Sequence, residues 1–506
     1  MSTATLTPRA RARGYAGMGA PKRKTSTSTS KPVLKVLNGT IVDRQSQNPV
    51  YLRGAGVNAN NCLDNTMFRC VKTLLGGNFL TIRITWGDYE PKRPLGGDPS
   101  LGTFQTRRYD SAMEQTLLRI LQWCEINQIY NVVRTGHTGG DGVPYFNPAK
   151  NNGWPDWLYN PNYWASQIYG PIDDLPPQPQ YPPLPAFRNE YGGGYDPNDQ
   201  GSANADSASW MPETEWVSST DTKGVRINPG SIPARYGWHG DANKQQKYLL
   251  PFLQHIQDIV QPFRYCVGFN WFNEPDYGEL AKTVNYNSNK LAVERMIRTQ
   301  AELYYSKLRA TDPYRWHSAH GQGGHNWLGI QTNIITTPDM SWYWGGGGGK
   351  CPGDIFMCYE NHMYPSHQDT MIAPDYVLSG DCFNQETLGG LVCTTGNKAI
   401  YAPTGGSPST IADANANIFY NKCASWNIPN IVGEYGMKAN VTNRANFIAD
   451  MHHSFRINKT HCAFFALSAA NTDPSNGNAC LLDLGNDNYS LNTMGAAIAS
   501  QLAIPY

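Results

Sequence analysis

Short apolar segments alternate with amphipathic helices along this chain, and this alternation is the feature that most constrains its fold. Eight segments have the length and composition of buried strands, at about 52–58, 79–84, 129–135, 265–272, 315–320, 354–361, 429–434 and 461–467. Strands that alternate with helices pair in parallel, because each helix carries the chain back across the sheet. Eight such units predict an α/β fold, the closed (β/α)8 TIM barrel.

The segments around these strands carry their own signals. Val33–Arg53 predicts a short N-terminal β-hairpin, with turns at Asn38-Gly39 and near Gln45–Asn48. After Asp110, Ser111 and Glu114 predict a capping box for a helix that includes Cys124. Further helical stripes run over about 249–260, where Pro251 predicts a start or a kink, and over 293–308. These stripes are wide enough to pack against a sheet and need no other explanation.

The 506 residues predict two parts, a disordered basic segment at 1–32 and one barrel domain at 33–506. Two insertions interrupt the barrel pattern, at about 142–243 after the third strand and about 366–425 after the sixth. The larger insertion holds 15 of the 35 prolines and six of the 14 tryptophans. Insertions after barrel strands lie over the binding face, so these tryptophans could line sugar subsites or form a small core within the loop.

Charge excludes some classes of partner. Residues 1–31 hold seven basic and no acidic residues, so the remainder has 34 basic against 40 acidic residues, a net charge of −6. That balance gives no reason to expect nucleic-acid binding by the main domain. The basic segment itself could be a processed leader, a binding arm or a plain tail. No apolar run approaches the roughly 18 residues that a membrane span requires, so we expect no membrane span.

The eleven cysteines include no C-x-x-C pair, so we expect no zinc site, no metal and no other cofactor. Cys351, Cys382 and Cys393 lie in predicted loops and could form disulfides in an oxidising compartment, whereas Cys124 and Cys266 are expected to be buried. Four N-x-S/T sequons, at Asn38, Asn440, Asn458 and Asn488, are compatible with secretion. No ordinary signal peptide is visible, and we expect an extracellular or particle-associated monomer.

Two glutamates stand directly after predicted barrel strands. Glu274 follows the fourth strand in Asn273-Glu274-Pro275, and Glu434 ends the seventh in Ile431-Val432-Gly433-Glu434. Cleavage of a glycosidic bond with retention needs one acid to protonate the leaving oxygen and a carboxylate about 5–5.5 Å away to attack the anomeric carbon. The carboxyl ends of barrel strands are where such a pair can meet.

The sequence resembles the clan A glycoside hydrolases and is most similar to glycoside hydrolase family five, the cellulase and mannanase family. The matching elements stand in the family's order from about Val33 to the C-terminus. They are the Tyr51–Asn58 stretch on the first strand, Arg83 on the second, His137 after the third, Asn273-Glu274-Pro275 after the fourth, His362-Met363-Tyr364 on the sixth and Glu434 on the seventh. Three residues alone would match by chance, but six ordered elements are far more specific.

The resemblance implies a role for each of these residues. Glu274 is implied as acid/base and Glu434 as nucleophile of an endo-acting β-glycosidase, on a polysaccharide or oligosaccharide of the β-glucan or β-mannan type. Arg83 is implied to lie beside Glu434 and favour its negative charge. The remaining substrate contacts are implied for Asn273, which would bind the sugar 2-OH, for His137 and His362, and for Tyr364, which would also orient Glu434.

One element departs from the family pattern. The family carries a Trp on the eighth strand beneath the reacting sugar, whereas Cys462–Ser468 contains none. Phe465 could take its place, the aromatic platform could come from the insertion, or it could be absent. This departure favours an alternative function, a non-catalytic glycan-binding or virion structural protein that keeps the barrel. Other acids could also bind substrate, namely Asp88, Glu90, Asp276, Glu279 and Glu360, although solvated or structural roles are expected for them. A serine hydrolase is excluded because the chain has no G-x-S-x-G elbow.

Overall fold

The computed structural model describes residues 30–64, 66–91, 107–136, 249–270, 307–320, 357–363, 391–393, 399–401, 423–424, 427–436, 444–469, 480–485 and 488–506. The strands in these ranges are β1 (Leu34–Leu37), β2 (Thr40–Asp43), β3 (Arg53–Asn58), β4 (Phe79–Thr85), β5 (Tyr130–Gly136), β6 (Cys266–Asn270), β7 (Trp316–His320), β8 (Met357–Met363), β9 (Leu391–Cys393), β10 (Ala399–Tyr401), β11 (Asn430–Tyr435), β12 (His461–Phe464), β13 (Leu482–Leu484) and β14 (Tyr489–Leu491).

Eight of these strands form a closed parallel barrel, as predicted. The barrel runs from β3 through β8 in chain order and continues with β11 and β12, and β12 pairs with β3 to close it. Each of the eight predicted segments overlaps one barrel strand, and the starts agree to within three residues. The fourth and seventh strands are therefore β6 and β11, the strands to which Glu274 and Glu434 were assigned.

The predicted N-terminal hairpin covers the amino-terminal end of the barrel. Its turn is made by Asn38 and Gly39, whose φ angles of 47° and 74° match the left-handed conformations of a tight hairpin turn. Leu34, Val36 and Ile41 are 0–3% exposed and pack against barrel residues that include Phe79 and Ile431. Burying an aliphatic side chain of this size stabilises the fold by about 1.5–3 kcal/mol. The hairpin thus closes the amino-terminal end of the barrel with buried apolar side chains.

The helices of the described residues are α1 (Cys70–Thr73), α2 (Trp86–Tyr89), α3 (Ser111–Asn127), α4 (Leu250–Val260), α5 (Arg444–Ile457) and α6 (Thr493–Leu502), with two 3-10 helices at Ala59–Cys62 and Met67–Arg69. The N-cap of α3 is Asp110, whose side chain accepts a hydrogen bond from the Met113 N–H, so the predicted capping box on Ser111 and Glu114 was placed one residue late. Pro251 lies in the first turn of α4, which therefore begins there.

Several predictions fall at or beyond the limits of the described residues. Residues 1–29, the insertion at 142–243 and most of the helix predicted at 293–308 lie outside them, as does the insertion at 366–425 apart from the β9–β10 pair and Cys423–Ala424. Ser30 and Lys31, in the segment predicted to be disordered, contact the body: the Ser30 hydroxyl donates to the Gln261 carbonyl at 2.7 Å, and the Lys31 ammonium lies 5.0 Å from the centre of the Tyr314 ring.

Two further expectations concern cysteines and membranes. Cys124 and Cys266 are buried free thiols, as predicted. Cys351 and Cys382 lie outside the described residues, and only the backbone of Cys393 is described, so their pairing stays a prediction. Among the helices in the described ranges, none combines the length and apolar character needed to cross a bilayer.

Candidate active site

Glu434 lies one residue before the carboxyl end of β11 and is 3% exposed. Its partner in the proposed reaction, Glu274, comes four residues after the last residue of β6 and lies outside the described residues, as do Asn273, His137 and Tyr364. His362 is described by its backbone alone, on β8, where its Cα is the register partner of Glu434. The structure therefore brings the backbones of Glu434 and His362 side by side.

A β-bulge at Gly433 sets the direction of Glu434. Val432 pairs with Asn361 of β8, and Glu434 pairs with His362, so β11 has one residue more than its neighbour between these two pairs. A shift also separates Val432 and Tyr435 in the pairing with β12. Bulges of this kind turn a side chain away from the regular alternation of a strand, and they are common beside active sites.

Glycine is required at the bulge because a carboxylate fills the space beside it. A Cβ atom on Gly433 would lie 1.9 Å from Oε1 of Glu360, which is far inside van der Waals contact. Glu360 itself is 1% exposed and belongs to β8. The bulged glycine thus lets two acidic side chains from neighbouring strands share the interior of the barrel.

Arg134 supplies the positive charge between these two acids. It lies on β5, is fully buried, and places Nη2 2.8 Å from Oε1 of Glu434 and Nη1 3.3 Å from Oε1 of Glu360. The contact with Glu434 is an ion pair whose angles fall short of an aligned hydrogen bond. Because buried charges are stable only when they are paired, one guanidinium offsets much of the cost of burying two carboxylates.

Neutral groups complete the polar interior. The Asn270 amide, at the end of β6, donates to Oε2 of Glu360 at 2.6 Å, and Nη2 of Arg134 donates to the Thr81 hydroxyl at 3.4 Å. Both residues are buried. A Cβ atom at Gly56 would meet the Thr81 hydroxyl at 2.7 Å, so a second glycine makes room for the network. Side chains from four strands, β4, β5, β6 and β8, therefore form the network around Glu434.

Arg134 supplies a positive charge beside Glu434, a role that the resemblance implied for Arg83. Among the described residues Glu434 forms an ion pair with Arg134, and the Arg83 guanidinium lies 6.0 Å from the centre of the Phe465 ring. That Arg83 also lies beside Glu434 stays a prediction. Arg83 is half-buried on β4, and substrate binding by it stays a prediction.

Phe465, the aromatic residue offered in place of the family's eighth-strand Trp, directly follows β12. Its ring is 3% exposed and lies against Gly56, where a Cβ atom would be 3.2 Å from the ring, with the Arg83 guanidinium above it. A cation over a ring face is a favourable contact. Phe465 is thus buried at the end of the eighth barrel strand, and the arginine beside it belongs to the second barrel strand.

The other candidate acids that the structure describes, Asp88, Glu90 and Glu360, have structural partners. Glu360 belongs to the charged interior. Glu90 is buried, accepts a hydrogen bond from the Trp86 indole at 2.9 Å and pairs with Arg107 at 2.5 Å; burial raises the pKa of this carboxyl, and Arg107 opposes that shift. Asp88 is exposed and accepts hydrogen bonds from Thr85 and Asn60. Asp276 and Glu279 lie outside the described residues.

Sequence reasoning missed Arg134 and underrated Glu360. Arg134 stands in Val132-Val133-Arg134-Thr135, and an arginine inside an otherwise apolar strand is a signal, because such a charge is almost never buried unless it is paired. Within the described residues, no group of three or more His, Cys, Asp or Glu side chains is arranged to hold a metal ion.

Comparison with known proteins finds similarity in structure only. No family model matches the chain, and no curated protein sequence matches it. A crystal structure of endogalactoceramidase is similar over 93% of this chain and 84% of that chain, with 16% identity and a TM-score of 0.50. The likeness shows the fold, a TIM barrel. Endo-glycoceramidase II from Rhodococcus sp. is similar over 94% and 81% (14% identity, TM-score 0.48), and an endoglucanase over 88% and 96% (10% identity, TM-score 0.43).

At 16% identity, the likeness to the endogalactoceramidase structure is evidence for the shared barrel fold and for nothing more specific. Fold alone does not assign an activity, because one barrel hosts many reactions and function depends on the residues at its site. The activity of this chain therefore depends on Glu434 and the residues around it.

Proposed function

We propose that the chain is a retaining glycoside hydrolase that cleaves internal β-linkages of a glycan. The observation that carries the proposal is Glu434, a buried carboxylate at the carboxyl end of the seventh strand that is paired with Arg134. A carboxylate paired with a guanidinium at this end of a barrel is suited to attack an electrophilic carbon. The Asn273-Glu274-Pro275 motif after the fourth strand supports Glu274 as the second carboxyl group.

The proposed reaction has two displacements. In the first, Glu434 attacks the anomeric carbon while Glu274 gives its proton to the leaving oxygen, so a glycosyl ester forms as the glycosidic bond breaks. In the second, Glu274 takes a proton from water, whose oxygen attacks the same carbon and releases Glu434. Arg134 stabilises the negative charge of Glu434 before attack and after release, and the bulge at Gly433 fixes the direction of the carboxylate.

The remaining site residues are proposed to bind substrate. Asn273 would bind the 2-OH of the reacting sugar, a contact that strengthens in the transition state. His137, His362 and Tyr364 would contact other hydroxyl groups, and Arg83 with Phe465 would form one wall of the site. The proposed substrate is a β-glucan or β-mannan, and the proposed place of action is extracellular or on a particle.

The first experiment asks whether the chain hydrolyses glycans. Purified protein is incubated with a panel of β-glucans and β-mannans, with galactosylceramide added because of the name of the endogalactoceramidase neighbour, and new reducing ends or released sugars are measured. The variant Glu434→Ala is the negative control. Asp483→Ala, which removes an exposed acid of β13, is the matched control and should keep full activity. Binding without product across the panel would favour the alternative, a non-catalytic glycan-binding protein.

The second experiment identifies the nucleophile. A 2-deoxy-2-fluoro glycoside with a good leaving group slows both displacements but the second more, so the glycosyl ester accumulates. Peptide mapping by mass spectrometry should find the sugar on the peptide containing Ile431–Tyr435. A label on another carboxylate, or inverted product in a proton NMR time course, would contradict the mechanism and leave the fold untouched.

A further inference from the structure

Glu360 contacts the strands on which both proposed catalytic carboxyl groups depend. It lies on β8, and its Oε1 is 3.3 Å from Nη1 of Arg134, the residue whose Nη2 pairs with Glu434. Its Oε2 accepts a hydrogen bond of 2.6 Å from Asn270, the last residue of β6. Glu274 follows Asn270 by four residues. Glu360 thus holds the cation beside Glu434 and the end of the strand that leads to Glu274.

Glu360 also lies against the bulge that directs Glu434. A Cβ atom on Gly433 would be 1.9 Å from Oε1 of Glu360, 2.6 Å from its carboxyl carbon and 2.8 Å from its Cγ. The end of this side chain is therefore packed against the backbone of the residue directly before the proposed nucleophile. Because protein interiors are close-packed, a shorter side chain at this position would leave a void beside the bulge or let the bulge move.

Glu360 and Glu434 share one guanidinium. Arg134 favours the negative charge of both carboxyl groups, whereas each carboxylate disfavours the charge of the other. The pairing of Arg134 with Glu360 therefore weakens its hold on Glu434. A nucleophile that is bound more tightly before the reaction than in the transition state reacts more slowly, because only interactions that strengthen in the transition state accelerate a reaction.

Burial limits how Glu360 can act on the reaction. Its side chain is 1% exposed, so the carboxylate is not presented to a substrate. An effect on the reaction must then pass through the groups that Glu360 touches. Those groups are Arg134, Asn270 and the backbone of Gly433.

We propose that Glu360 is a positioning residue that sets the direction of Glu434 through Gly433 and its charge through Arg134. This role rests on the proposed function, because it adds a residue to the same reaction. It differs from the role of Arg134, which contacts the nucleophile directly. Two properties of Glu360 should therefore matter separately, the charge of the carboxylate and the length of the side chain.

The first test needs no substrate. Glu360→Gln and Glu434→Gln are made singly and together, and their urea denaturation midpoints are compared at neutral pH. Each single variant leaves Arg134 one of these two acids, and the double variant removes both, so its midpoint should fall by more than the sum of the single shifts. Asp483→Asn, at an exposed acid of β13, is the matched control and should be additive with Glu434→Gln. Additive shifts for Glu360 and Glu434 would overturn the proposal.

The second test uses the pH dependence of hydrolysis. The acid limb of the kcat/KM profile reports ionisation of the free enzyme. Glu360→Gln removes a negative charge from beside Glu434, so this limb should move to lower pH by about one unit, and kcat should fall about ten-fold with little change in KM. Arg83, His320 and His362, toward the same ends of their strands, are present in every variant. A merely structural residue would leave the limb in place, so an unmoved limb would contradict the proposal.

A second variant covers the case in which Glu360→Gln does not fold. Glu360→Asp keeps the charge but draws the carboxylate back from Arg134, Asn270 and Gly433, so kcat should fall about ten-fold or more while KM stays near that of the wild type. A wild-type kcat in this variant would refute the positioning role. Coupled midpoints without hydrolysis by the wild type would count against the proposed function alone, whereas hydrolysis with additive midpoints would count against the positioning role alone.

Discussion

The two ends of the barrel are built from the same strands but filled with opposite kinds of side chain. At the amino-terminal end, apolar residues from the hairpin and the strands form one cluster, comprising Leu34, Val36, Ile41, Leu52, Phe79, Val132, Val267, Trp316, Ile431 and Ala463. Toward the carboxyl end, the interior holds Arg134, Glu360, Glu434, Asn270 and Thr81. Both sets are nearly or fully buried.

The contrast separates what stabilises the fold from what performs chemistry. Apolar burial stabilises the amino-terminal end without any requirement for exact charge pairing. The carboxyl end buries charges at a cost that a hydrophobic core would avoid, and replacing such groups by apolar residues is often neutral or stabilising. Substitutions at the two ends should therefore have different effects.

The largest expected effect is at Glu434. Glu434→Ala should lower hydrolysis about a thousand-fold or more, because the proposed nucleophile has no substitute, while the melting temperature stays near that of the wild type. Glu274→Ala should do the same. Initial rates and thermal unfolding of the same preparations check both statements. If either variant kept more than a few per cent of wild-type turnover, the assignment of the pair would fail.

Removal of the central cation should damage both activity and stability. Arg134→Met removes the guanidinium that pairs with Glu360 and Glu434, and breaking a buried ion pair in this way costs about 3–5 kcal/mol of unfolding free energy. Urea denaturation at neutral pH measures the loss, with Arg69→Met at an exposed site as the control. Adding Glu360→Gln to Arg134→Met should restore part of the stability. An unchanged denaturation midpoint in Arg134→Met would show that Arg134, Glu360 and Glu434 do not form a stabilising charged network.

The apolar end should respond in the opposite way. Phe79 is fully buried in β4, and Phe79→Ala should lower the unfolding free energy by about 3–5 kcal/mol through lost burial and the cavity left behind. Turnover of the protein that remains folded should be unchanged. Ile126→Ala, at a side chain that is 77% exposed on α3, is the matched control and should change neither quantity. A loss of turnover larger than the loss of folded protein would mean that the two ends are coupled.

The bulge offers a finer test of the catalytic end. Gly433→Ala places a methyl group where Oε1 of Glu360 now lies, so we expect a loss of about 1–3 kcal/mol from overpacking and a marked loss of activity as Glu434 is displaced. Gly485→Ala is the control, since the nearest atom to its added methyl would be 3.7 Å away. Parallel measurement of activity and melting temperature checks the pair, and equal behaviour of the two variants would show that the bulge does not position Glu434.

Features that follow from a local sequence pattern could be predicted from the sequence at both ends of the barrel. The eight strands were predictable because each is a short apolar run between helical stripes, and the hairpin turn because Asn38-Gly39 is a strong local signal. Glu434 could be placed at a strand end for the same reason. The ion pair with Arg134 was not predicted, because which strand supplies the cation depends on side-chain direction inside a closed barrel.

Other features depend on contacts between distant residues. The glycine at 433 is explained only by the Glu360 side chain of a neighbouring strand, more than 70 positions earlier in the sequence. The cavity between the hairpin turn and the beginnings of β11 and β12 likewise joins segments that are distant in the sequence. Such features follow from tertiary geometry and carry no local pattern. The roles of Glu274, Asn273, His137 and Tyr364 stay predictions from the sequence.

The smallest expected effect concerns pH and the amino-terminal end. His461 is neutral in the folded protein, where its pKa is about 3, whereas the unfolded chain protonates it below about pH 6.5. Between these values the unfolded state binds one more proton, so this residue lowers stability as the pH falls, by about 1.4 kcal/mol for each pH unit between about 6 and 4. In His461→Asn the amide oxygen can still accept from the Leu52 N–H, and this part of the slope should disappear. Urea unfolding at pH 6 and pH 4 measures the difference, with the exposed neighbour His453→Asn as the control. A slope that His461→Asn leaves unchanged would mean that the ring is charged in the folded protein and that His461 does not contribute to the pH dependence.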